Sequence, residues 1–360
     1  MKQLSVTTAA FLKKRFSFVL FFLICLGTVS CSPEELWDDF KDVMDDVDAA
    51  KRVPEKIMFT NPGLYPEGVS HDALNRRFLV SSITTGNIGT VSYDGNYMPF
   101  ITDDRLVSAV GLEVDEARNR VLVAGADPGG TPNSSPATTA QTAVLGIYDL
   151  ETGAPMHFVD LGALRPGMGH FANDFSVDKQ GNAYITDSFS PIIYKVDMWG
   201  NASVFFENED FATSPGAFGF NGIAFHPSGY LLVAYSVDNA IYKIPLKNTS
   251  AISKVQLNDP LERPDGLLLS QNGKQLIVVN NAGGAPSGRV LSFKSNDMWN
   301  SGTLNNSFIA GEVFPTAPTG YGDEVFVLYA YLNQLFNGQE LQEVYTIRKM
   351  PFSDNETFGR

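Results

Sequence analysis

The sequence predicts an all-β fold, a six-bladed β-propeller whose ring is closed by an N-terminal strand joining the last blade. Three observations carry this. Five stretches share one frame: Glu67-Gly-Val-Ser-His-Asp, Val110-Gly-Leu-Glu-Val-Asp, Asn173-Asp-Phe-Ser-Val-Asp, Asn221-Gly-Ile-Ala-Phe-His and Asp265-Gly-Leu-Leu-Leu-Ser. Further short apolar runs follow each frame, separated by turn residues. The frames also recur at a blade-like interval, with first positions at 67, 110, 173, 221 and 265. Repeats of this length, each holding four short strands, are the signature of a propeller.

The elements follow in order within each unit. The frame opens the first strand. The second is Arg77-Phe-Leu-Val-Ser, Arg120-Val-Leu-Val-Ala, Asn182-Ala-Tyr-Ile-Thr, Tyr230-Leu-Leu-Val-Ala and Gln275-Leu-Ile-Val-Val. The third covers 88–93, 144–149, 192–197, 240–245 and 289–293, and the fourth is weaker, as at 202–206 and 252–257. Pairs such as Asp94-Gly95, Gly181-Asn182, Ser228-Gly229 and Asn272-Gly273 supply the positive φ of tight hairpins. A sixth, weaker unit runs from Phe314-Pro-Thr-Ala through Val325-Phe-Val-Leu-Tyr-Ala to a strand over 341–348. It lacks a fourth strand, which residues 55–60 are expected to supply, leaving no free edge. The long step between the second and third frames contains 127–142, rich in Gly, Pro, Ser and Thr and read as a loop insertion, either a lid over the channel or a mobile loop.

The chain has 360 residues, of which 44% are hydrophobic and 18% charged, an ordinary balance for a packed core. Its net charge of −14 excludes a nucleic-acid partner, which needs clustered Lys and Arg. Residues 1–30 read as a secretory signal. Lys2, Lys13, Lys14 and Arg15 precede an uncharged apolar run over 16–29, too short for a comfortable membrane span. Ser30 then precedes Cys31. The segment resembles a lipobox, with Thr28 at the usual Leu position, and the acidic stretch after it resembles the surface-export signals of bacterial lipoproteins. Lipidation of Cys31 and anchoring to a bacterial outer membrane or cell surface are expected. The alternatives are a plain cleaved signal with a periplasmic or secreted product, or an uncleaved anchor. The domain plan is a signal (1–30), an acidic tether (31–54), the propeller (55–350) and a C-terminal tail (351–360). Cys25 and Cys31 are the two cysteines, so cleavage leaves the mature chain no disulfide and no thiol-based metal site.

First strands line a propeller's channel, so equivalent first positions converge there. Glu67, Asn173, Asn221 and Asp265 would meet near one mouth. Two carboxylates and two amide oxygens make a Ca²⁺-type donor set, with another divalent cation as the alternative. Zinc would want His or Cys, and His71, His157, His170 and His226 share no frame.

These residues carry a resemblance to the regucalcin and gluconolactonase family of six-bladed calcium propellers, and more distantly to diisopropylfluorophosphatase and paraoxonase. It spans residues 56–350 and rests on Tyr-Pro-Glu67-Gly-Val, Ala-Asn173-Asp with Tyr184-Ile-Thr-Asp-Ser, Phe-Asn221-Gly-Ile-Ala and Arg-Pro-Asp265-Gly-Leu. The family's metal ligands map onto Glu67, Asn173, Asn221 and Asp265. The resemblance implies calcium-dependent hydrolysis of a lactone or other ester, with the metal polarising the carbonyl and activating water. Asp265 would be ligand and general base, and Asp174 the next candidate base or a supporting group.

One departure matters. Some sugar-lactone members carry a substrate-binding Arg two residues before the first Asn, where this chain has Phe171. The position argues against a simple gluconolactone pocket and for a less polar small-molecule substrate. His170 is a possible channel-mouth histidine, otherwise a loop residue. His226 and His71 are read as structural. Ser82, Asp187, Tyr235 and Asn281, at second-strand ends, are candidate substrate or supporting groups, with turn chemistry as the competing role. The second functional reading is a non-catalytic ligand-binding propeller with a structural metal.

Overall fold

The computed structural model describes residues 52–339, 341–352 and 356–358. The expected signal, Cys31 and most of the acidic tether lie outside the described residues. Every strand among the described residues lies in the second of two compact units, Pro54–Arg360. No helix among the described residues is long and apolar enough to cross a membrane.

The fold is an all-β propeller. Strands β2–β5 (Val69–Asp72, Arg77–Val80, Ile88–Ser92, Tyr97–Ile101) form one four-stranded antiparallel sheet. Strands β6–β9 (Ser108–Asp115, Arg120–Ala126, Gln141–Asp149, Pro155–Asp160) and β10–β13 (His170–Val177, Ala183–Asp187, Ile192–Val196, Ala202–Glu207) belong to one eight-stranded sheet. What joins them is a short parallel pairing of β8 with β10, His170 opposite Gln141 and Phe171 opposite Thr142. Strands β14–β17 (Phe220–His226, Tyr230–Tyr235, Ala240–Pro245, Ser253–Lys254) form the next sheet. Strands β19–β22 (Pro264–Leu269, Gln275–Asn280, Arg289–Lys294, Ser301–Ile309) follow, with β18 (Gln256–Leu257) added in parallel to β22. Last come β23–β25 (Pro315–Tyr321, Glu324–Tyr329, Val344–Lys349), with β1 (Lys56–Thr60) antiparallel to β25 from Lys56–Arg348 to Thr60–Val344.

The innermost strands touch in sequence: β2 with β6, β6 with β10, β10 with β14, β14 with β19, β19 with β23, and β23 with β2. The core lies between sheets. Leu122, Leu145 and Ile147 meet Phe175, Ile185 and Tyr194 in one layer, and Leu232 and Ile241 meet Leu276, Leu291 and Trp299 in another. Each such side chain, fully buried, contributes roughly 1.5–3 kcal/mol.

Two local expectations are corrected. The run at 252–257 does not form one fourth strand. Val255 turns into the core, its N–H bonds Ile241 O, and the strand splits into β17 and β18 on two different sheets. The last strand begins at Val344 rather than at 341, after a short helix α1 (Leu332–Phe336) that the strand pattern did not announce. The insertion at 127–142 is organised around the buried Asp127 carboxylate. Its Oδ1 accepts from Gly129 N and Ser134 Oγ, and its Oδ2 from the Thr138 and Thr139 hydroxyls.

Candidate metal centre

The repeated frame marks a β-bulge. Register with the second strand breaks between Ala109 and Leu112, Ala172 and Phe175, Phe220 and Ile223, Pro264 and Leu267, and Pro315 and Pro318. Each break takes Val110, Asn173, Asn221, Asp265 or Thr316 out of the ladder and re-aims its side chain. Glu67 lies two residues before β2 begins.

The glycine after the first position has a steric cause. A Cβ on Gly68 would lie 2.4 Å from Val110 O, on Gly111 2.5 Å from Asn173 O, and on Gly222 2.2 Å from Asp265 O. The next inner strand runs too close for a side chain. In β10 that position is Asp174, whose carboxylate reaches across the gap and accepts from Ile223 N at 3.3 Å.

Glu67, Asn173, Asn221 and Asp265 line one cavity of about 610 Å³, with Asp174 beside them. Its walls continue along the inner strands as far as Arg118, Lys179 and Tyr321. Asn173 Nδ2 donates to Ser188 Oγ at 2.9 Å, and Asn281 Nδ2 donates to Asp265 Oδ2 at 2.7 Å. Asn221 also bonds Asp265 through its side chain, and with the Asn173 and Asn221 nitrogens so placed their oxygens are left over. Asn173 Oδ1 and Asn221 Oδ1 are buried and have no hydrogen-bond partner. Burial drives the Glu67 carboxyl well above its usual range, and the charges of Asp265 and Asp174 push the same way. Burial lifts Asp265 to about 7, against the hydrogen bonds of Asn281 and Asn221. Burial also lifts Asp174 to about 7, opposed by the Phe175 and Ile223 amides and reinforced by Glu113 and Asp265.

Orphaned amide oxygens and carboxyls that resist ionisation are what a hard cation would relieve together. The donor chemistry therefore fits Ca²⁺. No cluster of three or more His, Cys, Asp or Glu able to hold a metal occurs among the described residues, so the two asparagine oxygens are needed to complete any set.

The remaining candidates separate. Asn281 supports Asp265 directly, while its Oδ1 accepts from Gly283 N. Asp187 is fully buried, and its carboxylate is turned to other partners. Its Oδ1 accepts from the N–H groups of Phe171, Phe189 and Ser190, and its Oδ2 from Tyr194 OH at 2.9 Å. His170 is turned the same way, with Nδ1 2.7 Å from Asp187 Oδ2 and Nε2 2.9 Å from Arg165 O. Tyr235 OH donates to Phe211 O, and Ser82 Oγ to Leu64 O. His170, Asp187, Tyr235 and Ser82 are thus spent on holding loops, because each faces backbone groups that no strand ladder serves. His71 packs against Phe78 and Tyr321 and bonds Tyr93 OH, and burial lowers its pKa to about 4. His226 stacks on Tyr230 and bonds Gly273 O.

Four supporting hydroxyls escaped the sequence reading. Ser188 Oγ holds Asn173 and donates to Phe220 O. Thr186 Oγ1 donates to Asn221 O, Thr316 Oγ1 to Glu67 O, and Ser81 Oγ accepts from Gly68 N. For Ser81, Thr186 and Ser188 the signal available was a Ser or Thr near the end of a second strand, a position where turn chemistry is equally common, whereas Thr316 opens a first strand.

No protein-family model and no curated protein matches the chain. Solved structures do. The major allergen Mala s 1 of Malassezia sympodialis superposes with a TM-score of 0.66 at 18% identity, covering 84% of this chain and 97% of that one. A gluconolactonase from Xanthomonas campestris gives 0.55 at 14% identity, covering 84% and 92%. The fold is that of the gluconolactonase-type propellers. A luciferin-regenerating enzyme shares it, with a TM-score of 0.55 at 12% identity over 84% of this chain and 99% of that one.

Proposed function

We propose that the chain is a calcium-dependent hydrolase of a lactone or other ester, built on six blades. In this count the eight-stranded sheet divides at the two-residue β8–β10 pairing, and β1 closes the ring on β25. The observation that carries the functional reading is the pair of buried, unpartnered amide oxygens on Asn173 and Asn221, in the same cavity as Glu67 and Asp265.

A bound Ca²⁺ would polarise the substrate carbonyl and lower the pKa of water. Glu67, Asn173, Asn221 and Asp265 would hold it. Asp265 is the group proposed to take a proton from the attacking water, and Asn281 keeps its Oδ2 oriented. Asp174 adds negative charge at the cavity wall and ties β10 to β14. The substrate is a small molecule. Beyond the described residues, the reading includes a lipid anchor on Cys31 at the outer membrane or cell surface, which mass spectrometry of the mature N-terminus tests directly.

A second reading, a binding propeller that keeps the metal without turnover, draws on the hydrogen bonds of Asn221 and Asn281 to Asp265, since they blunt its basicity. The deciding experiment strips the full chain of divalent cations, restores Ca²⁺ and assays lactones and aryl esters. Turnover that appears only with the ion supports the hydrolase. Ion binding with no turnover supports the second reading, and turnover indifferent to the ion sinks both.

A further inference from the structure

Three phenylalanines stand on segments that lead into the candidate ligands. Phe171 precedes Asn173 by two residues in β10, Phe218 precedes Asn221 on the approach to β14, and Phe189 follows Ser188, the residue that holds Asn173. Their rings touch pairwise, with centroids 5.1 Å apart for Phe171–Phe189 and 5.2 Å for each of the other two pairs. None lines the 610 Å³ cavity, whose walls begin at the first positions and run the other way along the inner strands. The rings therefore lie on the opposite side of the four residues. Their exposure is graded. Phe171 is 3% exposed, Phe189 is half-buried and Phe218 is 39% exposed.

The backbone under the rings is fixed. Asp187 Oδ1 gathers the N–H groups of Phe171, Phe189 and Ser190. Ser188 N donates to Phe171 O, and Gly219 N to Ser188 O. Three polar side chains of these segments are committed to the fold. Both Asp187 oxygens are engaged, Ser188 Oγ bonds Asn173 and Phe220 O, and Ser190 Oγ bonds Gly169 O. The rings themselves offer a polyhydroxylated ligand no hydrogen-bond partner, so hydroxyls pressed against them would lose water without compensation. The neighbouring cluster of Phe211, Phe220 and Tyr235 shows the contrast, since it is closed over on every side, with each ring under a tenth exposed.

We propose that Phe218 and Phe189, seated on Phe171, form the specificity wall of the site and select substrates carrying an aromatic or branched apolar group. Asp187 is its positioning residue. Sites for small molecules commonly pair such an apolar wall with a few fixed polar groups. The word substrate rests on the hydrolase reading, whereas recognition of the ring does not, so the test reads binding.

The probes are two unreactive ketones, acetophenone and cyclopentanone, titrated by calorimetry into the Ca²⁺-loaded full chain. Phe218→Ala should weaken acetophenone about five- to tenfold, the scale of one lost aromatic contact, and leave cyclopentanone within about twofold. Phe218→Leu, which keeps apolar bulk, should fall between and covers the case in which the alanine variant does not fold. Failure of the wild-type chain to bind acetophenone overturns the wall. So does an unchanged acetophenone affinity, or an equal loss for both probes. Acetophenone binding without turnover of any ester leaves the wall standing and removes the hydrolase reading.

Discussion

Two buried polar clusters begin on the same strand, three residues apart, and they are opposites. At His170 every polar atom is matched. The imidazole lies between the Asp187 carboxylate and Arg165 O, and Asp187 also takes three backbone N–H groups and the Tyr194 hydroxyl. At Asn173 the matching fails. Two amide oxygens have no partner, and Glu67, Asp265 and Asp174 are all pushed toward the protonated state. A fully satisfied network rigidifies a fold, while an unsatisfied one costs stability unless something else completes it. The difference teaches where to look for function. It is the incomplete cluster that calls for a ligand, and the complete one holds the loops beside it.

The comparison breaks most visibly at Asp265. On the proposed reading Asp265→Ala removes a charged ligand, and Ca²⁺ affinity and hydrolysis should fall together by at least about 100-fold, more than the loss typical of a supporting residue. Calorimetry and turnover on the same sample check this. Unchanged ion binding would mean that the four residues do not act as one site.

The next effect is a difference of sign. Asp187→Asn breaks a buried ion pair whose partner stays behind, at a cost of about 3–5 kcal/mol with or without Ca²⁺. Asp265→Asn takes an uncompensated carboxyl out of the fold, so the metal-free chain should be as stable as wild type or more so. Denaturant unfolding in chelator separates the two. A large loss from Asp265→Asn in the absence of metal would erase the distinction between the clusters. A smaller effect is expected at Asn281. Asn281→Ala frees Asp265 Oδ2 from its 2.7 Å bond, and Ca²⁺ affinity should drop about 10-fold to 100-fold while the Asp187 cluster is untouched.

The sequence carried the incomplete cluster well and the complete one poorly. The convergence of Glu67, Asn173, Asn221 and Asp265 on one cavity was legible because a repeat brings equivalent positions together whatever the details of each strand. Gly68, Gly111 and Gly222 were legible as a pattern but not as a cause, because the cause is the neighbouring strand's carbonyl, far away in sequence. Asp187 and His170 stood out as chemistry-bearing residues near the channel. Nothing local shows that their side chains point toward Arg165 and the 187–190 loop rather than toward Asn173. Ser188 and Thr186 were hidden for the same reason. The division of residues 252–257 between two sheets, and the five-residue helix at Leu332–Phe336, depend on packing that alternation along the chain does not encode.

The smallest expected effect is in pH dependence, and it distinguishes the clusters by window. Burial by itself would lower the His170 pKa, but the hydrogen bond and charge of Asp187, with Arg165 O and Asp160 adding to them, raise it above 6.5. A proton held more tightly in the folded chain contributes stability that is complete below the ordinary imidazole pKa and is lost as pH rises through the folded value. Stability should therefore decline on the alkaline side of about 6.5, and His170→Gln should flatten that slope. In the metal-free chain an earlier decline should appear between the usual carboxylate range and about 7, because folded Asp265 and Asp174 keep protons that the unfolded chain has released. Ca²⁺ favours the ionised carboxylates, so it should remove the acid-side decline and leave the His170 slope in place. Unfolding midpoints measured across pH, with and without Ca²⁺, check both. If the ion removes both declines or neither, the two clusters are one coupled network, and the assignment of a ligand to only one of them is wrong.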